Sequence, residues 1–349
     1  MTNNVEQSAV ADIVSDQSEV NSVTPLSVVI DDGSKAAKMF YRNAAGELIY
    51  HLSTNTFIKD FRVAHNNSQP FNYLLEGLDR YSHHRDASAP LETTDVSHQY
   101  DHLCLLNVHQ ALHSSGLQPQ AVNLNVSLPL SQFYTSTGER NLDLIERKKA
   151  NLYKPVVRYI DAKTTAEFVV KDVKVFPESL PAITDSLEDG NIESFEVSLI
   201  IDLGGTTLDV ASVTGKLEEV SGVKGFDKIG CSIVYSEIRR KLVELGLPSG
   251  DAYIDHLINN RDDKTKYKVP AEDIDTIHET VIASIKLLND QVSNACKSVE
   301  SHPHRVYIVG GGSYLIRDRI SADYSKAFVK VIDNPQLALA KAVAETVLG

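Results

Sequence analysis

The chain has 349 residues, of which 42% are hydrophobic and 23% charged, and this length suffices for two domains with separate cores. Its formal net charge of -13 argues against direct binding of nucleic acid, because phosphate backbones require clustered cations. The three cysteines form no CxxC pair, and no apolar run approaches the ~18 residues of a membrane span. No Lys or Arg precedes Lys35, so the charged start of a signal peptide is missing. We therefore expect a cytoplasmic protein without membrane contact.

The first half of the chain reads as strands with helices between them. Residues 1–24 are rich in Ser, Asn, Gln and acids and are predicted to be a disordered extension. The stretch "LSVVIDDGS" is a strand that ends at acids and a glycine, and two strands joined by a turn at 43–46 follow it. A helix is predicted over about 97–115, a strand in "AVNLNVSLPL", a helix in "NLDLIERKKANLY" and strands that end at Pro177 and Glu178.

The second half repeats this theme. In "LIIDLGGTTLDV" three apolar residues run into an aspartate, two glycines come shortly after it, and hairpin strands follow. Two amphipathic helices, "CSIVYSEIRRKLVELG" and "DIDTIHETVIASIKLLNDQVSNACKSV", precede the strand and triple-glycine turn of "HRVYIVGGGSYL" and a C-terminal helix. Because both halves begin with strand, aspartate, glycine and hydroxyl residues, the pattern predicts a duplicated fold with a cleft between its halves.

The repeated turns suit the binding of phosphate. Glycine allows backbone N–H groups to converge on an anion without obstruction by a Cβ atom, and each preceding aspartate is placed to bind the water shell of Mg²⁺. The three glycines after the later strand could lie flat against adenosine. No GxxxxGK[ST] loop and no strand–GxGxxG–helix fingerprint competes with this interpretation.

With these motifs the chain resembles the ParM/StbA family of plasmid segregation proteins, within the actin-like ATPases. The stretches "VIDDGS", "HQALHSSGL", "LPLSQFY", "NLDLIERKKANL", "VKDVKVFPESLPA" and "LIIDLGGTTLDV" carry the resemblance, which covers nearly all of the chain from residue 26 onward. It implies an α/β, actin-like (ribonuclease H-like) fold of two domains with ATP between them. Domain I would comprise 25–185 and the helix at 334–349, and domain II would comprise 186–333.

The resemblance also implies roles for individual residues. Glu178 would polarise the attacking water, while Asp31 and Asp202 would hold Mg²⁺ through water and support hydrolysis. Lys38 would contact phosphate. The remaining nucleotide-binding positions would be Gly33 and Ser34 in the first turn, Gly204, Gly205, Thr206 and Thr207 in the second, Gly310, Gly311 and Gly312 in the third, and Glu237 and Lys241 on the helix beside the base and ribose.

The function implied by the resemblance is that of a cytoskeletal ATPase. Such a protein binds ATP or ADP with Mg²⁺, polymerises head to tail, hydrolyses ATP in the filament and moves plasmid copies through a DNA-bound adaptor of the ParR type, without touching DNA itself. Two alternatives of the same fold are a small-molecule kinase, for which no second acid besides Glu178 stands out, and a non-polymerising ATPase switch or chaperone, for which we expect a further substrate domain after the closing helix.

Three further patterns admit more than one interpretation. His98, His102, His109 and His113 share one predicted helix face and could bind a metal, but a polar stripe beside the apolar face is favoured. The basic run at 147–149 is interpreted as an exposed helix face rather than a DNA-binding patch. Asp32 is interpreted as a structural acid of the turn rather than a second metal ligand.

Overall fold

A computed structural model describes residues 24–63, 71–75, 79–84, 91, 96–160, 163–164, 167–188, 191–335 and 337–349. The extension predicted at 1–24 therefore lies outside the described residues, apart from Thr24. The strands are β1 (Leu26–Asp32), β2 (Ala36–Arg42), β3 (Leu48–Thr54), β4 (Phe57–Lys59), β5 (Phe71–Leu74), β6 (Arg80–His83), β7 (Ala121–Leu128), β8 (Val157–Ile160), β9 (Lys163–Thr164), β10 (Val169–Pro177), β11 (Val197–Leu203), β12 (Thr207–Thr214), β13 (Glu219–Asp227), β14 (Arg305–Val309) and β15 (Phe328–Val331). The helices are α1 (His102–Ser114), α2 (Leu130–Phe133), α3 (Leu142–Leu152), α4 (Leu180–Glu188), α5 (Ser232–Glu244), α6 (Asp251–Asn259), α7 (Ile274–Lys297), α8 (Ser313–Asp323) and α9 (Ala338–Leu348).

Two five-stranded sheets have the same topology. The first has the order β10-β7-β1-β2-β3, and the second has the order β13-β12-β11-β14-β15. In each sheet the first strand of the unit is central: it pairs antiparallel with the hairpin strand that follows it and parallel with a strand that arrives later. The repeat predicted from the sequence is therefore confirmed at the level of strand order and direction.

The central strands are buried on both faces, which explains their unbroken apolar sequence. Along β1, Val28 and Ile30 pack with α1, whereas Val29 faces α9 on the other side of the sheet. Along β11, Leu199 and Ile201 pack on the side of the second sheet that α5 and α7 cover, whereas Ile200 faces α4 on the other side. Alternation along each strand thus joins one sheet to two helical layers.

Two helices cross between the sheets. The apolar face of α4, which includes Ile183, packs on the second sheet, although this helix follows β10 of the first. In return α9 packs on β1 and β2 of the first sheet, with Val343 and Ala344 in that cluster, and α4 and α9 contact each other. The predicted domain limits at 185 and 333 remain a prediction, and the packing of α4 favours a first crossing before residue 185.

A third sheet, β4-β6-β5-β8-β9, lies beside the first. Phe57, Tyr73 and Tyr81 from this sheet are buried in the same cluster as the apolar residues of α1. Over the described part of the chain, none of the helices combines the length and apolar character required to cross a lipid bilayer. We refer below to the units built on the first and second sheets as the first and second lobes.

Candidate functional site

A cavity of about 660 Å³ lies between the two lobes. It is lined by three turns that follow buried strands: 33–35 after β1, 204–206 after β11 and 310–312 after β14. Because β11 and β14 are parallel neighbours, their carboxyl ends meet at one edge of the second sheet, and the first turn faces them from the opposite lobe. Ligands of open α/β sheets bind at such edges.

The first turn presents Asp31 to the cavity together with Lys38. The two residues are direct cross-strand partners in the β1–β2 hairpin, and Lys38 Nζ lies 2.6 Å from Asp31 Oδ2. Burial alone would lower the pKa of Lys38, but the adjacent Asp31, together with the negative charges of Glu178 and Asp202, outweighs this effect and the pKa is raised. Lys38 therefore remains a cation beside its own lobe's carboxylate. Gly33 and Ser34 complete this side of the cavity.

Asp32 points to the opposite side of β1, as alternation along a strand requires. Its carboxylate lies 2.5 Å from Nζ of Lys148 and accepts a hydrogen bond from Cys104 Sγ, while Lys148 also donates to Gln99. Lys148 and Asp32 are both fully buried at their side chains. The structural role predicted for Asp32 agrees with these contacts. The prediction that 147–149 forms an exposed face was wrong for Lys148, because the buried carboxylate of Asp32 draws it inward.

The second turn presents Asp202 to the same cavity. Gly204 N–H donates to Thr207 O, and the amides of Cys231 and Ser232 donate to the carbonyls of Gly204 and Gly205, which fixes the turn against the start of α5. Burial raises the pKa of Asp202, and the negative charge of Asp31 raises it further. The carboxylates of the two lobes thus act on each other across the cavity.

Glu178 enters the cavity at the end of β10. Its Oε1 lies 3.3 Å from Ser127 Oγ, and the same hydroxyl lies 3.2 Å from Asp31 Oδ1. Loss of hydration raises the pKa of Glu178 well above its ordinary value, and the charges of Asp31 and Asp202 raise it further. Three carboxylates therefore converge on one space.

The third turn approaches Asp202 through a glycine. Gly310 has a φ of +84°, and a Cβ atom there would collide with the Asp202 carboxylate and with Leu203 O. Gly312 N–H donates to Leu203 O at 3.0 Å, so the two turns of the second lobe are directly joined. Glycine at position 310 is required both by the positive φ and by the close approach of the Asp202 carboxylate.

Most of the predicted site residues line this one cavity. They are Asp31, Gly33, Ser34, Lys38, Glu178, Asp202, Gly204, Gly205, Thr206, Thr207, Gly310, Gly311 and Gly312. Glu237 and Lys241 do not belong to the cavity lining; they form ion pairs with Arg240 and Glu244 on the outer face of α5. The face of α5 toward the cavity carries Tyr235 instead, and the placement of Glu237 and Lys241 beside the nucleotide remains a prediction.

Several residues of the cavity wall were not identified from the sequence. Lys35 comes from the first turn, Tyr235 from α5, Tyr314 from α8, and Asp255 and Asn259 from α6. Helix α6 itself was not predicted, although Gly250 and an aspartate in the first turn are typical of a helix start. The spacing of its cavity-lining residues, four apart, could have indicated the shared face.

The four histidines do not form a single group. His98 belongs to the 3-10 turn Val96–Tyr100 and lines the cavity, whereas His102 begins α1 and packs against Tyr81. His109 and His113 are buried in the core of the first lobe rather than flanking it. Burial lowers the pKa of His109 to about 3 and that of His113 to about 4, so both are neutral core residues.

The side chains that line the cavity carry more negative than positive charge, which favours the binding of a metal cation. The described lining includes five carboxylates, Asp31, Glu178, Asp202, Asp251 and Asp255, and two ammonium groups, Lys35 and Lys38. In the described ranges, no group of three or more His, Cys, Asp or Glu side chains is arranged to hold a metal by itself. Two aspartates facing an acidic cleft fit a hydrated Mg²⁺ shared with ligand phosphates, since Mg²⁺ retains waters and prefers oxygen ligands.

Two family models match the chain. One is described as plasmid segregation protein ParM, N-terminal, and matches residues 26–189; the other is described as plasmid segregation protein ParM, C-terminal, and matches residues 192–346. A comparison with curated protein sequences gave no match. The two models together cover nearly all of the described chain.

Solved structures share the fold at low sequence identity. An archaeal actin homolog in complex with ADP aligns with 18% identity and a TM-score of 0.65, over 91% of this chain and 97% of that chain. A 15-stranded ParM filament from Clostridium botulinum aligns with 13% identity and a TM-score of 0.65, over 92% and 98%. Bacillus thuringiensis ParM with ATP aligns with 15% identity and a TM-score of 0.55, over 93% and 98%. The predicted actin-like, two-domain α/β fold is confirmed.

Proposed function

This chain belongs to the ParM family of plasmid segregation proteins, and from this premise we propose that it is a cytoplasmic ATPase that binds ATP and Mg²⁺ between its lobes, assembles head to tail into filaments and hydrolyses ATP within them. In this proposal the filament moves plasmid copies through a DNA-bound adaptor of the ParR type.

The observation that carries the proposal is the convergence of Asp31, Asp202 and Glu178 on one cavity. The two aspartates come from equivalent positions of a duplicated topology, at the end of the central strand of each sheet. Glycine turns of this kind allow backbone N–H groups to approach phosphate oxygens closely, and here such turns lie on both sides of the cavity. A ligand held in this way would link the lobes.

The chemistry asked of the protein is mainly positioning and charge compensation, which dominate phosphoryl transfer. Bound Mg²⁺ would supply positive charge to the phosphates. Lys38, fixed by Asp31, adds positive charge on the first lobe, and the turn amides add partial positive charge on both. Glu178 would orient the attacking water, and its ionisation would be favoured once the repulsion from the two aspartates is relieved.

Filament assembly is proposed from the relatives. The Clostridium botulinum ParM structure is described as a 15-stranded filament, and a plasmid protein from B. subtilis with the same fold is also described as a filament. Head-to-tail contacts that do not close into a ring generate open helical filaments. The net charge of -13 suits a protein that leaves DNA binding to an adaptor.

Light scattering and phosphate release, recorded together on the full chain, test the proposal. We expect scattering to rise with ATP and Mg²⁺ and to decay as phosphate accumulates, with no rise when either is omitted. Phosphate release without scattering would instead support a nucleotide switch. Product formation that requires an added hydroxyl acceptor would support a kinase and contradict the filament proposal.

A further inference from the structure

Lys35 crosses the cleft from the first lobe to the second. Its backbone is fixed in the first turn, where its carbonyl accepts a hydrogen bond from the amide of Asn55 at 2.9 Å. Its side chain extends to α5, and Nζ lies 4.0 Å from the centroid of the Tyr235 ring. A cation over the face of an aromatic ring is attracted by the ring quadrupole. This contact therefore joins a phosphate turn of one lobe to a helix of the other.

The stem of Lys35 lies along the second phosphate turn. A Cβ atom placed on Gly205 would lie 3.3 Å from Cε of Lys35 and 3.4 Å from its Cδ and Cγ. Such distances are at the short end of ordinary contacts, so the bare backbone of Gly205 leaves the space in which the lysine stem passes. Lys35 thus contacts the turn that faces its own across the cavity.

The Tyr235 ring is itself held in place from the second lobe. Its hydroxyl donates a hydrogen bond to Asp255 on α6, which fixes the ring and increases its electron density toward the lysine. Lys38 differs, because its hydrogen bond to Asp31 lies within its own hairpin. Of the two described lysines that line the cavity, Lys35 is therefore the one whose side chain packs on a residue of the other lobe.

We propose that Lys35 is a positioning residue that ties the two phosphate turns together through Tyr235, and so sets how closely the lobes approach a polyphosphate. The link to nucleotide affinity rests on the proposed function, whereas the tie between lobes does not. A ligand that must touch both turns, such as ADP, should depend on the tie. Adenosine, which has no phosphate to bridge the turns, should depend on it much less.

Hydrogen exchange of the full chain without nucleotide tests the tie directly. Lys35→Met keeps the aliphatic stem and removes the charge. We expect amide exchange at 203–207 and 231–235 to accelerate about three-fold in this variant, because that factor corresponds to the loss of one exposed cation–π contact. Lys35→Arg, which keeps the cation, should retain the slow exchange. Lys326→Met, at an exposed lysine outside the cavity lining, is the matched control and should leave these amides unchanged.

Affinity measurements provide the second test. Lys35→Met should weaken ADP binding about three-fold and leave adenosine binding unchanged, and the double variant with Tyr235→Leu should weaken ADP no more than Tyr235→Leu alone. Equal weakening of adenosine and ADP, or strictly additive effects of the two substitutions, would overturn the link to polyphosphate.

The exchange experiment and the nucleotide-binding experiment have separate consequences. Unchanged exchange in Lys35→Met would overturn the tie, whatever the nucleotide data show. An unaltered protein that binds neither ATP nor ADP would contradict the proposed function, while the exchange experiment would still decide whether Lys35 joins the lobes.

Discussion

Ser179 donates a hydrogen bond to Oδ2 of Asp202, so the residue next to Glu178 is tied to the aspartate of the opposite turn. Ser179 adopts a φ of +66°, a left-handed conformation that is costly for a residue with a side chain. Ser179 thus joins the two predicted site residues Glu178 and Asp202, and no sequence pattern indicated this role.

We predict that Ser179→Ala slows phosphate release because Asp202 loses a partner that favours its ionised form. Ser179→Gly loses the same hydrogen bond but relieves the backbone strain. Its free energy of unfolding should therefore be about 1 kcal/mol larger than that of the alanine variant. Urea unfolding and a phosphate assay measure the two effects. Equal stability of the variants would contradict the strain argument.

Glu178→Gln should retain assembly but reduce phosphate release by about 10²-fold, because an amide cannot act as a base toward water. In the unaltered protein, release should increase as the pH rises through the elevated pKa of Glu178, and the glutamine variant should lose this dependence. Glu272→Gln, on an exposed 3-10 turn, is the control. Full activity of Glu178→Gln would exclude Glu178 from its proposed role.

Removal of divalent cations should weaken ATP binding much more than adenosine binding. The cavity wall carries more carboxylates than ammonium groups, so a polyphosphate without a metal meets net repulsion. We expect a loss of about 10²-fold or more for ATP in EDTA, measured by calorimetry, with adenosine unaffected. ATP affinity that is independent of added Mg²⁺ would show that the lysines and turn amides suffice.

Lys148→Met should destabilise the first lobe by about 3–5 kcal/mol because Asp32 would remain buried without a counter-ion. The double variant with Asp32→Asn should recover part of this loss. Lys149→Met is a matched neighbour whose partial exposure and surface pair with Glu146 predict a change within about 0.5 kcal/mol. Urea unfolding compares the three. A small effect at Lys148 would show that its ion pair is not buried in solution.

Protonation of two buried histidines should oppose folding as the pH falls, whereas the raised pKa values of Glu178, Asp202 and Asp209 act in the opposite direction. In the unfolded chain His109 and His113 bind a proton near pH 6.5, whereas burial lowers their pKa values to about 3 and about 4 in the folded state. At these two positions the unfolded state gains protons first, so their contribution to stability falls as the pH decreases from about 6.5 toward 4, by roughly 3 kcal/mol per residue. In His113→Phe, which preserves packing on Phe168, the loss between pH 7 and 4.5 should be smaller.

Much of the fold could be predicted because it depends on local patterns. The apolar run that ends at Asp202 requires a buried strand, and its likeness to the run that ends at Asp31 indicated the duplicated topology. Both aspartates then had to lie at strand ends facing one gap, where the structure places them. The roles of these residues in binding and hydrolysis remain predictions.

What could not be predicted depends on which way a side chain faces in the assembled molecule. Residues two apart on a helix differ by about 200°, so Tyr235 facing the cavity turns Glu237 away from it. Lys148 lies in a run of polar residues that resembles an exposed face. No local pattern shows that this face packs against the buried carboxylate of Asp32. Lys35 likewise required knowledge of the opposite lobe.

The return of α9 to the first sheet has a consequence for biosynthesis. Its residues Leu339, Ala340, Val343 and Ala344 cover Val29 and Phe40, yet the ribosome makes this helix only after it has synthesised every strand of both sheets. Until then one side of the nascent first sheet presents bare apolar side chains to the cell. A messenger RNA truncated before the α9 codons should therefore yield an aggregation-prone protein that quality-control proteases remove. This would happen even though the truncated protein contains every predicted catalytic residue.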